Sequence, residues 1–588
     1  MAEVIDPLVL LIVGVVVIAV ATAVGPKLKI AGPLILVLLG IGVSLLPFVH
    51  VPQIDPDIIL VGVLPPLLYS AAVSLPAIEF RRDFGPIAGL SVVLVVVSSV
   101  ALAFLFVAVI PGLPFLLALA LGAILSPTDA VATGIAKRLG ISRRVVTLLE
   151  GESLLNDATS LVILRTAVAG VAVGTIQAGD FLGAFAWGVF IAIVIGVVVG
   201  YLNLRLRALV RHSAANTAVG FVVPFAAYLP TEHLGGSGLV AAVVAGIVTG
   251  QGSVRWFTPE QRMSDELNWR TVELVLEGAV FLIMGLELKE ILDANLKSDH
   301  GIGQGLVLAI VALMIILGVR AVYVSVLVWL QSRHARNANT DRLDKISARL
   351  DDVEALGASG LAAQSRGRRD RPVDEGRFSR RIASMRKRVD SAFADFDYYQ
   401  ASPLGWKHGT VIVWAGMRGV VTLAAAQTLP RETPERPLLI FVAFLVAVGS
   451  LMLQGFTLPW LVRALRLEGD AASDAVDQAD QRRLDDALRM AAASALTQGT
   501  ELRRSDGTAL PAELVATVGS KMTEPPDDDQ SAFARDVLEL RLLMIGVMRR
   551  RLGELSSGGG YSTAALRHAL AELDADELSL RLRLEGED

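Results

Sequence analysis

The chain has no cysteine, which excludes a disulfide framework and a thiolate metal site and leaves the redox compartment unread. It is also poor in charge. Only 19% of its 588 residues are Asp, Glu, Lys or Arg, against 53% hydrophobic, and the mean hydropathy is +0.58. That balance excludes an ordinary soluble enzyme and points to a membrane protein. A secretory leader is not expected either. The first apolar run has no basic residue before it and no small-x-small cleavage site beyond it, only Gly25-Pro26-Lys27, so it reads as a retained span. The net charge of −5 averages a membrane part with a basic face and an acidic tail, and says little about partners.

What the chain has in abundance is long apolar runs. PLVLLIVGVVVIAVATAV from Pro7 and LSVVLVVVSSVALAFLFVAVI from Leu90 match the roughly 20 residues that carry a helix across about 30 Å of hydrocarbon. Breaks at proline, glycine and charge clusters divide the chain into about 13 such spans. They start near Pro7, Ala31, Asp57, Pro86, Pro114, Val145, Asp180, Asn216, Gly235, Asp265, Ile302, Lys407 and Pro437. The expected fold is therefore an all-α polytopic membrane protein. Lysine and arginine set its orientation, because cytoplasmic loops hold an excess of them near span ends. Lys27, Lys29, Arg81, Arg82, Lys137, Arg138, Arg143, Arg144, Arg205, Arg207, Arg211, Arg255 and Arg262 fall on one side. The loops VHVPQIDPD, GTIQAGD and PTEHLGGS on the other side hold none, and only the last two outer loops carry any, at Lys289, Lys297, Arg431 and Arg436. An odd count of spans then places the N-terminus outside and the C-terminus in the cytoplasm.

Four regions follow: transporter spans 1–11 in residues 1–330, a basic cytoplasmic insertion in 331–406, spans 12–13 in 407–466, and a cytosolic helical domain in 467–588. Basic residues of the insertion lie close to two span ends, which suits anionic lipid headgroups as well as a plain topology-fixing loop. The tail alternates charged and apolar residues at helical spacing, as in STAALRHALAELDADELSLRL. It contains no nucleotide loop, metal cluster or basic reading helix, so no cofactor and no nucleic acid are expected, and regulation or self-association is its reading.

Polar groups inside the spans carry the functional argument, because an ionisable side chain at the bilayer centre costs about 2.5–3.5 kcal/mol and is placed there for a reason. In span 5, Ser126-Pro127-Thr128-Asp129 interrupts an apolar helix. Pro127 removes a backbone donor and clashes with the preceding turn, so the helix is expected to break and expose polar backbone. Asp129 suits either an ion site or the cap of the second half-helix. Span 6 reads EGESLLNDATS from Glu150. Ser153 and Asp157 are i, i+4, Glu150 lies a turn earlier, and Glu152 with Asn156 forms a parallel i, i+4 pair. Asp157, the Ser153 hydroxyl and the Asn156 carbonyl offer hard oxygen ligands that suit Na⁺ or Li⁺. A carboxylate that binds a cation also binds a proton, and competition for one group is enough for exchange. Two cations complete the set, Arg320 in span 11 and Arg418 in GMRG of span 12. A buried carboxylate needs a partner, and Glu152 is expected to pair with one of these arginines. Arg418, between two glycines, is placed to balance the negative ends of half-helices.

SPTDAVAT, EGESLLNDATSLV and GMRGVVTLA, with LPPLLYSAA at Leu64 and FLIMGLEL at Phe281, resemble the sodium/proton exchangers of the monovalent cation:proton antiporter superfamily, and the electroneutral branch most. The resemblance covers residues 7 to 466 apart from the insertion. It implies 13 spans in two inverted repeats, with broken spans 5 and 12 crossing at the ion site, and a homodimer in a bacterial plasma membrane engaged in pH homeostasis. It also implies roles: Asp157 as ion and proton carrier, Asp129 and Thr128 as the broken-helix part of the site, Ser153 as a coordinating hydroxyl, Glu152 with Arg320 as a salt bridge, and Arg418 as the basic residue of the second break. Asn156 stands where the electrogenic branch has a second Asp, which implies one proton per cation. One departure is Tyr69-Ser70, where close relatives often carry an acidic residue, so Ser70 would ligate only as a neutral hydroxyl.

The expected function is secondary antiport of Na⁺, or of Li⁺ or K⁺, against H⁺. A K⁺/H⁺ antiporter or a cation channel built from the same polar spans is the near alternative, although a channel needs no protonatable group that must empty between ions. The remote one is an intramembrane aspartyl protease using Asp129 and Asp157, and neither aspartate carries the Gly-x-Gly-Asp type motif of such enzymes.

Overall fold

The structure, a computed structural model, describes residues 7–28, 30–46, 55–173, 178–210, 212–297, 302–337, 404–468 and 563–585, together with 380–382, 384–386, 398–399, 541–548 and the single residues 348, 389, 490 and 538. Every regular element among them is helical. Two compact units separate at Asp474 and Ala475.

The first unit opens with α1 (Pro7–Leu28) and α2 (Gly32–Ser44). A π-helical turn, Ile58–Val63, then leads into α3 (Leu64–Ser74). Its cause is local: Pro65 and Pro66 have no amide to give to carbonyls one turn back, and the Leu64 amide bonds five residues back to Ile59. α4 (Ala77–Arg82), α5 (Phe84–Ala88) and α6 (Leu94–Val109) follow. Next come two short helices, α7 (Phe115–Leu125) and α8 (Val131–Arg138), separated by the non-helical stretch 126–130. Pro127 sits in that gap, where its missing amide and ring end the first half.

α9 (Arg143–Val173) is a continuous helix of 31 residues. Beyond it run α10 (Ala178–Leu209), α11 (Ser213–His233) and α12 (Gly238–Trp256). α13 (Pro259–Leu286) is started by a capping box in which the Thr258 hydroxyl accepts from the Gln261 amide and the Gln261 side chain accepts from the Thr258 amide. α14 (Leu288–Lys297) and α15 (Ile302–Asn337) complete this run. A second interrupted pair follows, α16 (Trp406–Trp414) and α17 (Val420–Gln427), broken over 415–419 where Gly416 and Gly419 lie. α18 (Arg436–Leu465) ends the unit.

Among the described residues, five stretches meet the length and apolarity needed to cross a membrane, within α5–α6, α9, α10, α15 and α18. Their burial differs. Only 22% of the α10 window is buried against 72% for α18, so α10 turns its apolar side chains outward to lipid while α18 runs through the core. Close helix approach is managed by small residues. At the α2–α13 crossing, a Cβ on Gly40 would meet the Leu282 carbonyl and one on Gly285 the Gly40 Cα at 2.9 Å, so no larger residue fits either position.

In the second unit, α19 (Thr563–Glu585) falls within the segment read as helical. Most of the insertion and most of the remaining tail lie outside the described residues, and with them the reading of lipid contact.

Candidate ion-binding site

The two interrupted helices meet at their breaks. The Asp129 amide donates to the Met417 carbonyl at 2.7 Å, a backbone bond from one gap to the other. Gly419 makes the approach feasible, since a side chain there would overlap the Asp129 carboxylate. Asp129 also caps the second half of its own helix, its Oδ1 accepting from the Val131 amide at 3.3 Å.

Each break leaves orphan carbonyls at the end of its first half-helix, and in both an arginine answers them. Arg418, 2% exposed, donates through Nε to Leu125 O at 3.2 Å at the end of α7, and also to its own neighbour Gly416 O. Arg320, 1% exposed, donates to Ile412 O near the end of α16 through Nε at 3.0 Å and Nη2 at 2.9 Å.

Arg320 has a second task. It forms a forked ion pair with Glu152, with Nη2 to Oε2 at 2.8 Å and Nη1 to Oε1. The sequence alone left Arg320 and Arg418 open as the partner of Glu152, and the geometry selects Arg320. The pair continues into a chain, because the Thr128 hydroxyl donates to Glu152 Oε1 at 3.1 Å and accepts from Asn156 Nδ2 at 2.7 Å. Glu152, Asn156 and Thr128 therefore form one buried network joining α9, the first break and α15. Asn156 Oδ1 is buried with no hydrogen-bond partner among the described residues.

Asp157 and Ser153 lie on a different face of α9. Both line a cavity of about 130 Å³ with Thr128, Asp129 and, from α17, Thr422. Asp157 has no basic partner among the described residues. The Ser153 hydroxyl donates to its own helix at Glu150 O, 3.2 Å away, which leaves its oxygen lone pairs for a ligand. A wider cavity of about 380 Å³ shares Ser153, Leu154 and Ala130 with the first and opens among Lys137, Arg138 and Glu150. Glu150 pairs there with Lys137 and is half-buried. The two cavities adjoin and make a funnel from the side lined by Lys137, Arg138 and Glu150 down to Asp157.

Two wall residues escaped the sequence reading, Glu273 and Glu277 of α13. The signal was present, an i, i+4 carboxylate pair inside ELVLEGAVFLIMG, and it satisfies the rule that singled out Asp157. Ser70 is 5% exposed on α3, and the acidic side chains of the cavity wall come from α13 instead.

Hydroxyl and carboxylate oxygens thus surround Asp157, which has no basic partner among the described residues, beside two interrupted helices that meet at their breaks. A family model described as sodium/hydrogen exchanger, transmembrane, matches residues 14–344 and 390–464. The chain belongs to that family of monovalent cation:proton antiporters. It is 28% identical over 474 residues to an uncharacterised Na⁺/H⁺ exchanger of Mycobacterium tuberculosis strain H37Rv, covering 79% of this chain and 76% of the other. It is 26% identical over 448 residues to a Na⁺/H⁺ antiporter of Aphanothece halophytica, covering 75% and 70%. The fold is similar to the solved structure of the sodium proton antiporter of Methanocaldococcus jannaschii at pH 8, with a TM-score of 0.54 and 17% identity over 79% of this chain and 99% of that one.

Proposed function

We propose that the protein is a secondary antiporter that exchanges Na⁺ for H⁺ across a bacterial plasma membrane, one for one, by alternating access. Asp157 is the group for which cation and proton compete, with Ser153, Thr128 and Asp129 around the ion. The observation that carries this reading is the contrast between two carboxylates on one helix: Glu152 is clasped by Arg320, whereas Asp157 lines the cavity with no basic partner among the described residues. A paired carboxylate stays charged and fixed; an unpaired one in a narrow chamber is free to change its occupant.

With the Lys137 and Arg138 end cytoplasmic, the funnel is open inward. On this reading thirteen spans form two inverted repeats, with α7–α8 and α16–α17 as corresponding broken helices. The N-terminus lies outside, the C-terminus inside, and two copies assemble as a homodimer. Asn156 contributes an amide where a second acid would add a second proton, which favours an electroneutral cycle. The family is one of antiporters, and a transport role rather than a hydrolytic one follows for Asp129 and Asp157. A channel needs no site that must be emptied of protons between ions.

Proteoliposomes with an imposed pH gradient test the proposal. Adding Na⁺ is expected to dissipate the gradient without dependence on membrane potential, and Li⁺ and K⁺ are compared in the same assay. Asp157→Asn should abolish the response. Retained exchange in that variant, or unsaturable cation leak without proton movement in the wild type, would overturn it.

A further inference from the structure

We propose that Arg165, Glu232 and Tyr228, with a second link between Gln427 and Glu287, form a latch that closes the route to Asp157 on the side opposite the funnel and opens in each transport cycle. The proposal rests on the reading of the protein as an alternating-access antiporter, in which a site open to one side is shut off from the other.

Three helices lead from the deeper cavity to these residues. α9 passes Glu150 in the wider cavity and Asp157 in the deeper one, and Arg165 follows eight residues later, about 12 Å further along the axis. α13 likewise passes Leu274 in the wider cavity and Phe281 in the deeper one before it ends at the cap residue Glu287. α17 has Val421 in the deeper cavity and Gln427 as its last residue. Neither cavity is lined by Arg165, Tyr228, Glu232, Glu287 or Gln427. Between cavity and latch, Leu161 of α9, Met284 of α13 and Leu423 of α17 are buried.

Beyond these apolar residues, polar groups join the helices. The Arg165 guanidinium pairs with Glu232 through Nη1 and donates to the Tyr228 hydroxyl through Nη2 at 3.3 Å, which fastens α9 to α11. Glu232 Oε1 accepts from the Gly238 amide at 2.8 Å, so the same carboxylate is held on the first turn of α12. Gln427 Nε2 donates to Glu287 Oε2 at 2.9 Å and fastens α17 to the end of α13. Glu232 belongs to the loop PTEHLGGS, which the distribution of lysine and arginine places outside, and Glu287 and Gln427 stand close to the outer-loop residues Lys289 and Arg431.

The two ion pairs of α9 differ in what parting them does. Glu152 and Arg320 are each 1% exposed, so separating them strands two charges in the interior. Arg165 and Glu232 are 44% and 23% exposed, so water takes the place of the lost partner. Such a pair adds little to folding, yet it biases two conformations that lie close in energy.

The absence of cysteine makes a reporter thiol unambiguous. Leu161, 4% exposed, lies one helical turn from Asp157 and one from Arg165. In intact cells, which present the outer side alone, Leu161→Cys is expected to react slowly with a membrane-impermeant thiosulfonate. Adding Arg165→Ala, or Glu232→Gln, which keeps an acceptor for the Gly238 amide, should speed labelling about fivefold. Gln427→Ala should act in the same direction. A second measurement needs no cysteine: in sided vesicles, Arg165→Ala should lower the half-saturating Na⁺ concentration on the outer side by about the same factor, because more of the protein is open there. Fast labelling of Leu161→Cys by itself, or labelling and outer half-saturation indifferent to Arg165→Ala and Glu232→Gln, overturns the latch. Labelling that responds to those two changes and not to Gln427→Ala supports the ion pair and overturns the second link. Absence of Na⁺/H⁺ exchange in the wild type overturns instead the antiport reading, while the labelling, which needs no transport, still decides on the latch.

Discussion

The amide of Asp129 and the carbonyl of Met417 share a 2.7 Å hydrogen bond that ties the break of one helix to the break of another. Both groups are free for it only because each helix is interrupted at that level. Beside the bond, Gly419 lies against the Asp129 carboxylate with no room for a methyl group.

Gly419→Ala is therefore expected to push the Asp129 carboxylate off its position and lower exchange at least tenfold, since roughly an ångström of misplacement costs rate steeply. Membrane insertion should survive. Fluorescence-detected gel filtration checks the fold, and the proteoliposome assay the rate.

The Glu152–Arg320 pair has both side chains 1% exposed. Removing one partner leaves a buried charge and should destabilise by about 3–5 kcal/mol. Arg320→Met should do more harm than Glu152→Gln, because it also strips Ile412 O of two donors. The double variant should recover part of the loss in thermal unfolding. Strict additivity of the two single losses would count against direct coupling.

Arg418→Lys keeps the charge and loses the fork. A lysine cannot reproduce the planar guanidinium that reaches Leu125 O and Gly416 O together. Exchange is expected to fall by about tenfold, with a loss of stability of around 1–2 kcal/mol for one lost charged hydrogen bond. Thermal unfolding alongside transport distinguishes the two effects.

A fourth prediction concerns the far end of the insertion. Asp83, fully buried, takes a forked bond from Arg144 with Nε to Oδ2 at 3.2 Å and Nη2 to Oδ1 at 3.0 Å, and accepts from the Tyr398 hydroxyl at 2.9 Å. The Tyr399 hydroxyl donates to Arg82 O at 2.7 Å, and the Arg144 guanidinium stacks on its ring. Burial, then the charge of Asp83, holds the Tyr398 hydroxyl well above the usual tyrosine range. A raised value favours the protonated, docked form, so its stabilisation is complete below about pH 10 and fades only as the pH climbs beyond. Limited proteolysis near residue 400 should be unchanged from pH 7 to 9. Tyr398→Phe and Asp83→Asn should each speed cleavage, the second more.

Much of this was readable from residue order. Pro127 and the Gly416–Gly419 pair announce their breaks through backbone chemistry alone, and the spacing of Glu152, Asn156 and Asp157 places them on one helix. Spacing does not say which side of α9 faces a ligand. That Glu152 and Asn156 turn to the Thr128 network while Ser153 and Asp157 turn to the cavity depends on how α9 packs against α7 and α8. The choice between Arg320 and Arg418 was hidden for the same reason, because residues 168 apart in sequence meet only in the fold. The carboxylates of α13 were legible and passed over, the apolar residues around them having masked the pattern. Asp83 had no local sign at all, since its partners Arg144 and Tyr398 are 61 and 315 residues away.

Glu152 stands five residues before Asp157 on an unbroken helix, and through Arg320 it is fastened to α15 and to the end of α16. Asp157 is consequently tied, through its own helix and that ion pair, to the end of a helix that stops short, so a substitution that loosens Glu152 is felt at the break of α16 as well as at the carboxylate.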